Sequence, residues 1–277
     1  GMVAISYEKE GKTQYEVIDF VNQDGTACAT TFKVDYKTRQ MGGFEDVSYS
    51  NGKYYFAQEG GMTYDPTKNE KVLQNPVILE AELVTRLDGT HAMQLTRKSI
   101  VVPSDTLIGA YTPNGTNGIE GQAFDKSGNV YVGFQDTGNI YKGTPQSDGT
   151  YSWGKEPVLK TGHTDLAGMA FDSKGNLLVS FGNFSDGGGS SDPSNEKTRM
   201  YVPDASGNWM NDKGEPFKND AYSIQTNASG PTLMDAEAIM VDHLGNIIIG
   251  SDNGGKVVTQ LKNLTQDQTT ITTTQTT

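Results

Sequence analysis

Ile119-Glu120-Gly121-Gln122-Ala123-Phe124-Asp125, leading into Gly128-Asn129-Val130-Tyr131-Val132, is the stretch on which the fold reading turns. It is a short apolar run, a Gly/Asn/Asp turn and a second apolar run, which is the pattern of a β-hairpin. Three further copies stand in the chain. Phe44-Glu45-Asp46-Val47-Ser48-Tyr49 leads into Asn51-Gly52-Lys53-Tyr54-Tyr55-Phe56. Leu166-Ala167-Gly168-Met169-Ala170-Phe171-Asp172 leads into Gly175-Asn176-Leu177-Leu178-Val179. Ala236-Glu237-Ala238-Ile239-Met240-Val241-Asp242 leads into Gly245-Asn246-Ile247-Ile248-Ile249. A recurring hairpin marks a repeat architecture. Equivalent positions of a closed repeat array converge on one axis, so Glu45, Glu120 and Glu237, which share one column, are expected to approach one another.

The copies begin at residues 44, 119, 166 and 236, and the middle spacing is close to one propeller blade of about 40–50 residues. That blade reads as strands over 121–125, 129–134, 139–143 and about 156–160, with Asp148-Gly149 turning the chain before the last. The first gap has room for two blades, Ile78–Val84 starting the second with Glu80 in the glutamate column. The same segment also suits a short helix, because Glu, Ala and Leu favour helix. The last gap reads as one blade with an exposed Gly/Ser/Asp-rich loop at 185–195. Residues 1–43 read as a partial blade, and the Thr/Gln run 269–277 as a closing strand or a disordered tail. The expectation is one all-β domain over 1–277, a six-bladed β-propeller, with five blades as the alternative. A β-sandwich does not explain the recurrence of loop and glutamate.

The chain has 277 residues and a formal charge of −12, with an isoelectric point near 4.7. Such a surface argues against nucleic acid and anionic membranes, which are gripped by clustered Lys and Arg. It suits a cation or a neutral small-molecule or sugar-like ligand. The lone Cys28 precludes an intramolecular disulfide. No apolar run is long enough to span a membrane as a helix. A monomer is expected, at a bacterial cell surface or outside the cell in preference to the cytoplasm. Gly1 before Met2 reads as a scar of tag cleavage that leaves room for a removed leader.

In a propeller blade the first strand starts, and the second ends, at the same face. The start column holds Glu45, Glu120, Ala167 and Glu237; the end column holds Gln58-Glu59, Gln135-Asp136, Gly182-Asn183 and Asp252-Asn253. Asp165 adds a carboxylate just before its repeat. Carboxylates gathered in a partly desolvated funnel bind a cation, pair with a base or hold protons. Hard divalent cations take such oxygen ligands, so Glu45, Glu120, Asp136, Asn183, Glu237 and Asp252 are candidate ligands for calcium or another divalent cation. Two other readings stay open: glutamates that seal the ring by accepting backbone N–H groups, and a metal-free ligand pocket. His163 and Asp165 fall on the same face and are the candidate proton-transfer residues. Asp125, Asp172 and Asp242, each before a Gly-Asn, read as turn residues. The chain carries no Gly-x-Ser-x-Gly elbow, His-Glu-x-x-His pair or phosphate-cradling loop.

The units Glu120-Gly121-Gln122-Ala123-Phe124-Asp125…Gly128-Asn129 and Gly168-Met169-Ala170-Phe171-Asp172…Gly175-Asn176 resemble the Glu-Gly-Pro and Asp-Gly-Met blade motifs of the gluconolactonase/regucalcin-like superfamily. NHL-type propellers share much of the pattern. The resemblance implies a six-bladed propeller with one divalent metal in its channel and hydrolysis of lactones or related esters. It implies Glu120 or Glu45 as the glutamate ligand and Asn183 as an amide ligand. Ala167 stands where the family has Asp before Gly-Met, and no proline follows Glu120-Gly121. Two functions are therefore carried forward: a metal-dependent lactonase- or esterase-like hydrolase, and a non-catalytic exported or cell-surface binding or adhesion propeller.

Overall fold

The computed structural model describes residues 3–9, 12–21, 44–65, 67–113, 115, 117–182, 198–209, 215–216, 222–225, 236–242, 245–251 and 257–263. Residues 185–195 and 269–277 lie outside these, as do residues 22–43 of the expected partial blade. The described residues are β-strands and turns, without a helix. The chain separates into two compact units, Gly1–Asp105 and Thr106–Thr277.

The first unit holds β1 (Val3–Lys9), β2 (Lys12–Val21), β3 (Phe44–Ser50), β4 (Lys53–Gln58), β5 (Gly61–Asp65), β6 (Glu70–Gln74), β7 (Val77–Thr85) and β8 (His91–Val101). Strands β3, β4, β7 and β8 form an antiparallel meander, and β5–β6 is a separate hairpin inserted between β4 and β7. The β1–β2 hairpin extends this sheet through a parallel pairing of Asp19–Val21 with Ala92–Gln94. Ile78–Val84 is therefore neither the start of a second blade nor a helix. It lies within β7, the third strand of the first meander. Glu80 lies at a register shift in the β7–β8 pairing, and its carboxylate accepts hydroxyls from Tyr55 (3.1 Å) and Thr96 (2.8 Å). That pairing overrides the helix propensity of Glu, Ala and Leu because cross-strand contacts outweigh intrinsic preference.

The second unit holds β9 (Ile119–Phe124), β10 (Val130–Phe134), β11 (Asn139–Pro145), β12 (Tyr151–Trp153), β13 (Leu159–Lys160), β14 (Leu166–Phe171), β15 (Leu177–Phe181), β16 (Arg199–Tyr201), β17 (Glu215–Pro216), β18 (Tyr222–Gln225), β19 (Ala236–Val241), β20 (Ile247–Ser251) and β21 (Val257–Asn263). They build three sheets. In the first, β9–β10–β11 is a meander whose fourth strand is split: β12 pairs with one end of β11 and β13 with the other. The second is the meander β14–β15–β16–β17. In the third, β19–β20–β21 is a meander, and its outer strand is β18, which precedes β19 in the chain. The four antiparallel meanders of the two units are propeller-type. Six of them do not stand among the described residues.

The inner hairpins of the second unit turn on one device. Asp125, Asp172 and Asp242 each open an Asp-x-x-Gly-Asn turn. Asp125 Oδ1 accepts the N–H groups of Ser127 and Asn129, both at 2.9 Å, while Oδ2 accepts the Asn129 amide at 2.7 Å. Asp172 repeats this with Lys174 and Asn176, and Asp242 binds Asn246 twice. A fourth copy, Asp204-Ala205-Ser206-Gly207-Asn208, was not singled out from the sequence. The glycine of each copy sits at φ between 77° and 86°, a left-handed conformation that side chains resist. Asp172→Ala leaves two backbone N–H groups and one amide without their acceptor. It is expected to cost about 1–3 kcal/mol, read as a lower denaturation midpoint.

The second strands are buried along their whole length in β10 and β15, so they read as continuous apolar runs. Leu177 and Val179 pack with Tyr131, Ile140, Leu166 and Met169, between the first and second sheets of this unit. Leu178 faces the other way, into a cluster with Ile239, Ile247 and Ile249 of the third sheet. Val130 and Val132 are fully buried, within the strand expected over 129–134.

Candidate active site at the strand-end face of the second unit

The column that carries Glu45, Glu120, Ala167 and Glu237 is a recurrent β-bulge. In β3–β4, Phe44 pairs with Gln58 and Asp46 with Ala57, which leaves Glu45 as the extra residue. In β9–β10 the skipped residue is Glu120, in β14–β15 Ala167 and in β19–β20 Glu237. A bulge inserts one residue against its partner strand and re-aims its side chain. The equivalence read from the sequence is thus a backbone equivalence. At Ala167 the bulge is held by the buried Ser180 hydroxyl, which accepts the Gly168 N–H at 2.9 Å.

Glu45 is exposed on β3 in the first unit. Glu120 is 8% exposed on β9. The backbone of Glu237 lies in β19; its side chain lies outside the described residues, as do Asn183, Asp252 and Asn253.

Asp136 and Asp165 come together. Two loops meet at this face, one after β10 and one before β14. The Asp165 N–H donates to the Gln135 carbonyl at 2.9 Å, and the Asp165 carbonyl accepts the Gly182 N–H at 2.8 Å. The equivalent bond one hairpin earlier runs from the Gln135 N–H to the Gly118 carbonyl, at 3.2 Å. Asp165 has φ of 59°, a left-handed conformation that is strained for most side chains but adopted by Asp more readily. Burial pushes its carboxyl above the usual carboxylate range. The Thr164 hydroxyl, 3.5 Å away, pulls the other way, and the negative charge of Asp136 adds to the rise.

His163 stands two residues away, half-buried, with its ring 5.3 Å from that of Phe181. Its N–H donates to the Thr161 hydroxyl at 3.2 Å, and that buried hydroxyl donates to the Gly138 carbonyl at 2.8 Å. Gly138 has φ of 62°, and a Cβ there would overlap the His163 carbonyl, so only glycine lets the two loops meet.

The segment before β9 was missed in the sequence reading. It straps over the β10–β11 side of this face. Tyr141 donates its hydroxyl to the Ile108 carbonyl (2.6 Å), Asn139 its amide to the Gly109 carbonyl (2.8 Å) and Thr137 its hydroxyl to the Ala110 carbonyl (3.3 Å). At its end Asn117 donates its backbone N–H to Asp136 Oδ2 (3.2 Å) and its amide to Gln135 Oε1. The Asn-Gly pair just ahead of Ile119-Glu120 was the signal in the sequence.

A carboxyl whose pKa is raised on folding contributes stability that is complete below its ordinary, unfolded value. That contribution is lost as pH rises through the folded value. Asp165 is such a group. Asp165→Asn is therefore expected to match or exceed the wild type in thermal stability at neutral pH. The difference should close in acid, as checked by melting curves across pH.

The oxygen donors here suit a hard divalent cation in kind. Among the described residues, however, no three His, Cys, Asp or Glu side chains gather closely enough to hold one.

No family model matches the chain, and no curated protein matches it. Solved structures similar to it include a candidate gluconolactonase, at 13% identity and a TM-score of 0.41, covering 93% of this chain and 66% of that one. A luciferin-regenerating enzyme matches at 11% identity and a TM-score of 0.36, covering 79% of this chain and 61% of that one. PorZ, a surface component of the type-IX secretion system of Porphyromonas gingivalis, matches at 14% identity and a TM-score of 0.38, covering 90% of this chain and 34% of that one. This chain thus spans about two thirds or less of the length of each. The propeller-type reading rests on the meanders of the chain itself.

Proposed function

We propose that the strand-end face of the second unit is the active site of a lactonase- or esterase-like hydrolase. The observation that carries this reading is the meeting of Asp165 and Asp136, with His163 two residues away along the chain. Asp165 is half-buried, left-handed in backbone and raised in pKa by burial and by its neighbour's charge. A carboxylate with a raised pKa is a stronger base than a free one, and perturbed carboxylates of this kind concentrate at catalytic sites. Asp165 takes a proton from the water that attacks the ester carbonyl and returns it to the leaving alkoxide. His163 is the second candidate for that transfer. Asn117, through its N–H on Asp136, orients the partner carboxylate.

A divalent cation, calcium first, belongs to the proposal as a point to be tested: Glu120, Asp136, Asn183, Glu237 and Asp252 are the residues that would supply its oxygen ligands. When bound it would polarise the carbonyl. No step above depends on it. Six blades and a cell-surface or extracellular location are likewise part of this reading.

The deciding experiment is a screen of the full chain against lactones and simple esters, with and without added calcium, manganese or zinc, alongside calorimetry with calcium. Turnover above background that is lost in Glu120→Gln and restored in part by excess metal supports the metal-dependent form. Metal-independent turnover that survives in Glu120→Gln keeps the hydrolase and removes the metal. No turnover under any condition sinks the hydrolase and leaves the binding or adhesion propeller as the reading to pursue.

A further inference from the structure

The sequence contains four Asn-Gly pairs, and two of them, Asn51-Gly52 and Asn117-Gly118, lie wholly within the described residues. The reacting pair is the same in both, but the fold treats it in opposite ways. We infer that Asn51 is a site of spontaneous deamidation and that Asn117 is shielded from it. In this reaction the backbone nitrogen of Gly52 attacks Cγ of Asn51. A new N–C bond closes a succinimide ring, the bond to the side-chain nitrogen breaks, and ammonia leaves. Water then opens the ring at either carbonyl, giving aspartate or isoaspartate. No other reactant is needed.

Asn51 and Gly52 are the two central residues of the β3–β4 turn, between the paired Ser50 and Lys53. Both are exposed, with φ of 49° and 80°, the pattern of a type I′ hairpin turn. Nothing lies within 4 Å of where a Cβ on Gly52 would be, so no packing resists the rotation that brings its nitrogen onto the amide carbon. Asn117 is held from both ends. Its amide donates to Gln135 Oε1 and its N–H to Asp136 Oδ2. Gly118 is buried, and its carbonyl accepts the Gln135 N–H. Ring closure there must first break these bonds, worth together about a tenfold or greater slowing. The product at position 51 differs in kind from a substitution. Aspartate fits a type I′ turn, whereas isoaspartate adds a methylene to the main chain of a two-residue loop that sets the β3–β4 register.

The test is incubation of the full chain in mildly alkaline buffer, with peptide mass mapping and isoaspartate detection over time. A parallel sample is held unfolded in denaturant. In the folded protein the Asn51 peptide is expected to convert about tenfold faster or more than the Asn117 peptide. In denaturant the two rates should draw together, because only the fold separates them. Equal rates in the folded chain, or faster conversion at Asn117, overturn the inference. So does a difference that persists in denaturant, since it would then belong to the local sequence.

Discussion

Asp165→Asn is expected to slow lactone or ester turnover by about 10²–10⁴-fold, the range that removal of a general base gives. Asparagine keeps the shape and tolerates the left-handed backbone of φ 59°, but it cannot take a proton. The wild-type rate should rise with pH as Asp165 ionises, at a pH above the ordinary carboxylate range, because burial and Asp136 hold the proton on. The variant should lose this limb of the profile. Since the same change is expected to spare or raise stability at neutral pH, a loss of activity cannot be assigned to unfolding. An unchanged rate and pH profile in Asp165→Asn would remove the residue from the mechanism.

Phe181→Ala is expected to cost about 3–5 kcal/mol, the range for truncating a buried aromatic ring. Phe181 is fully buried at the end of β15, within the cluster of Tyr131, Ile140, Leu166, Met169 and Tyr201. Truncation removes a whole ring from a site walled by neighbouring sheets, so a cavity remains. It also strips the apolar surface from beside the His163 ring, so the loop that carries Asp165 should loosen as well. Urea denaturation should show a lower midpoint at an unchanged slope. Met240→Ala, at a half-exposed position on β19, should stay within about 0.5 kcal/mol.

Local structure is legible in the residues themselves. The Asp-x-x-Gly-Asn turns close between residues four apart, and the inner hairpins follow from them, so β9–β10, β14–β15 and β19–β20 are legible without any tertiary information. The column is legible in the same three hairpins, because its residue (Glu120, Ala167 or Glu237) stands at one fixed spacing ahead of the turn aspartate in each. Elements whose partners are remote depend on the folded chain. Ile78–Val84 carries helix-favouring residues, yet it becomes the third strand of a meander because β4 and β8 pair with it on both sides. Strand β18 closes a sheet from the far side of β21, and β12 pairs with β11 ahead of the strand expected at 156–160; neither pairing leaves a periodic trace in four or three residues. The site divides the same way. Carboxylates near the strand ends could be read off the chain, but not that Asp136 and Asp165 would be the two that meet. Nor could it be read that the strap ending in Asn117 would fasten to Asp136. Turns are written in sequence because their energy lies in contacts a few residues apart, whereas the charge and burial that set Asp165 come from chain folded back from elsewhere.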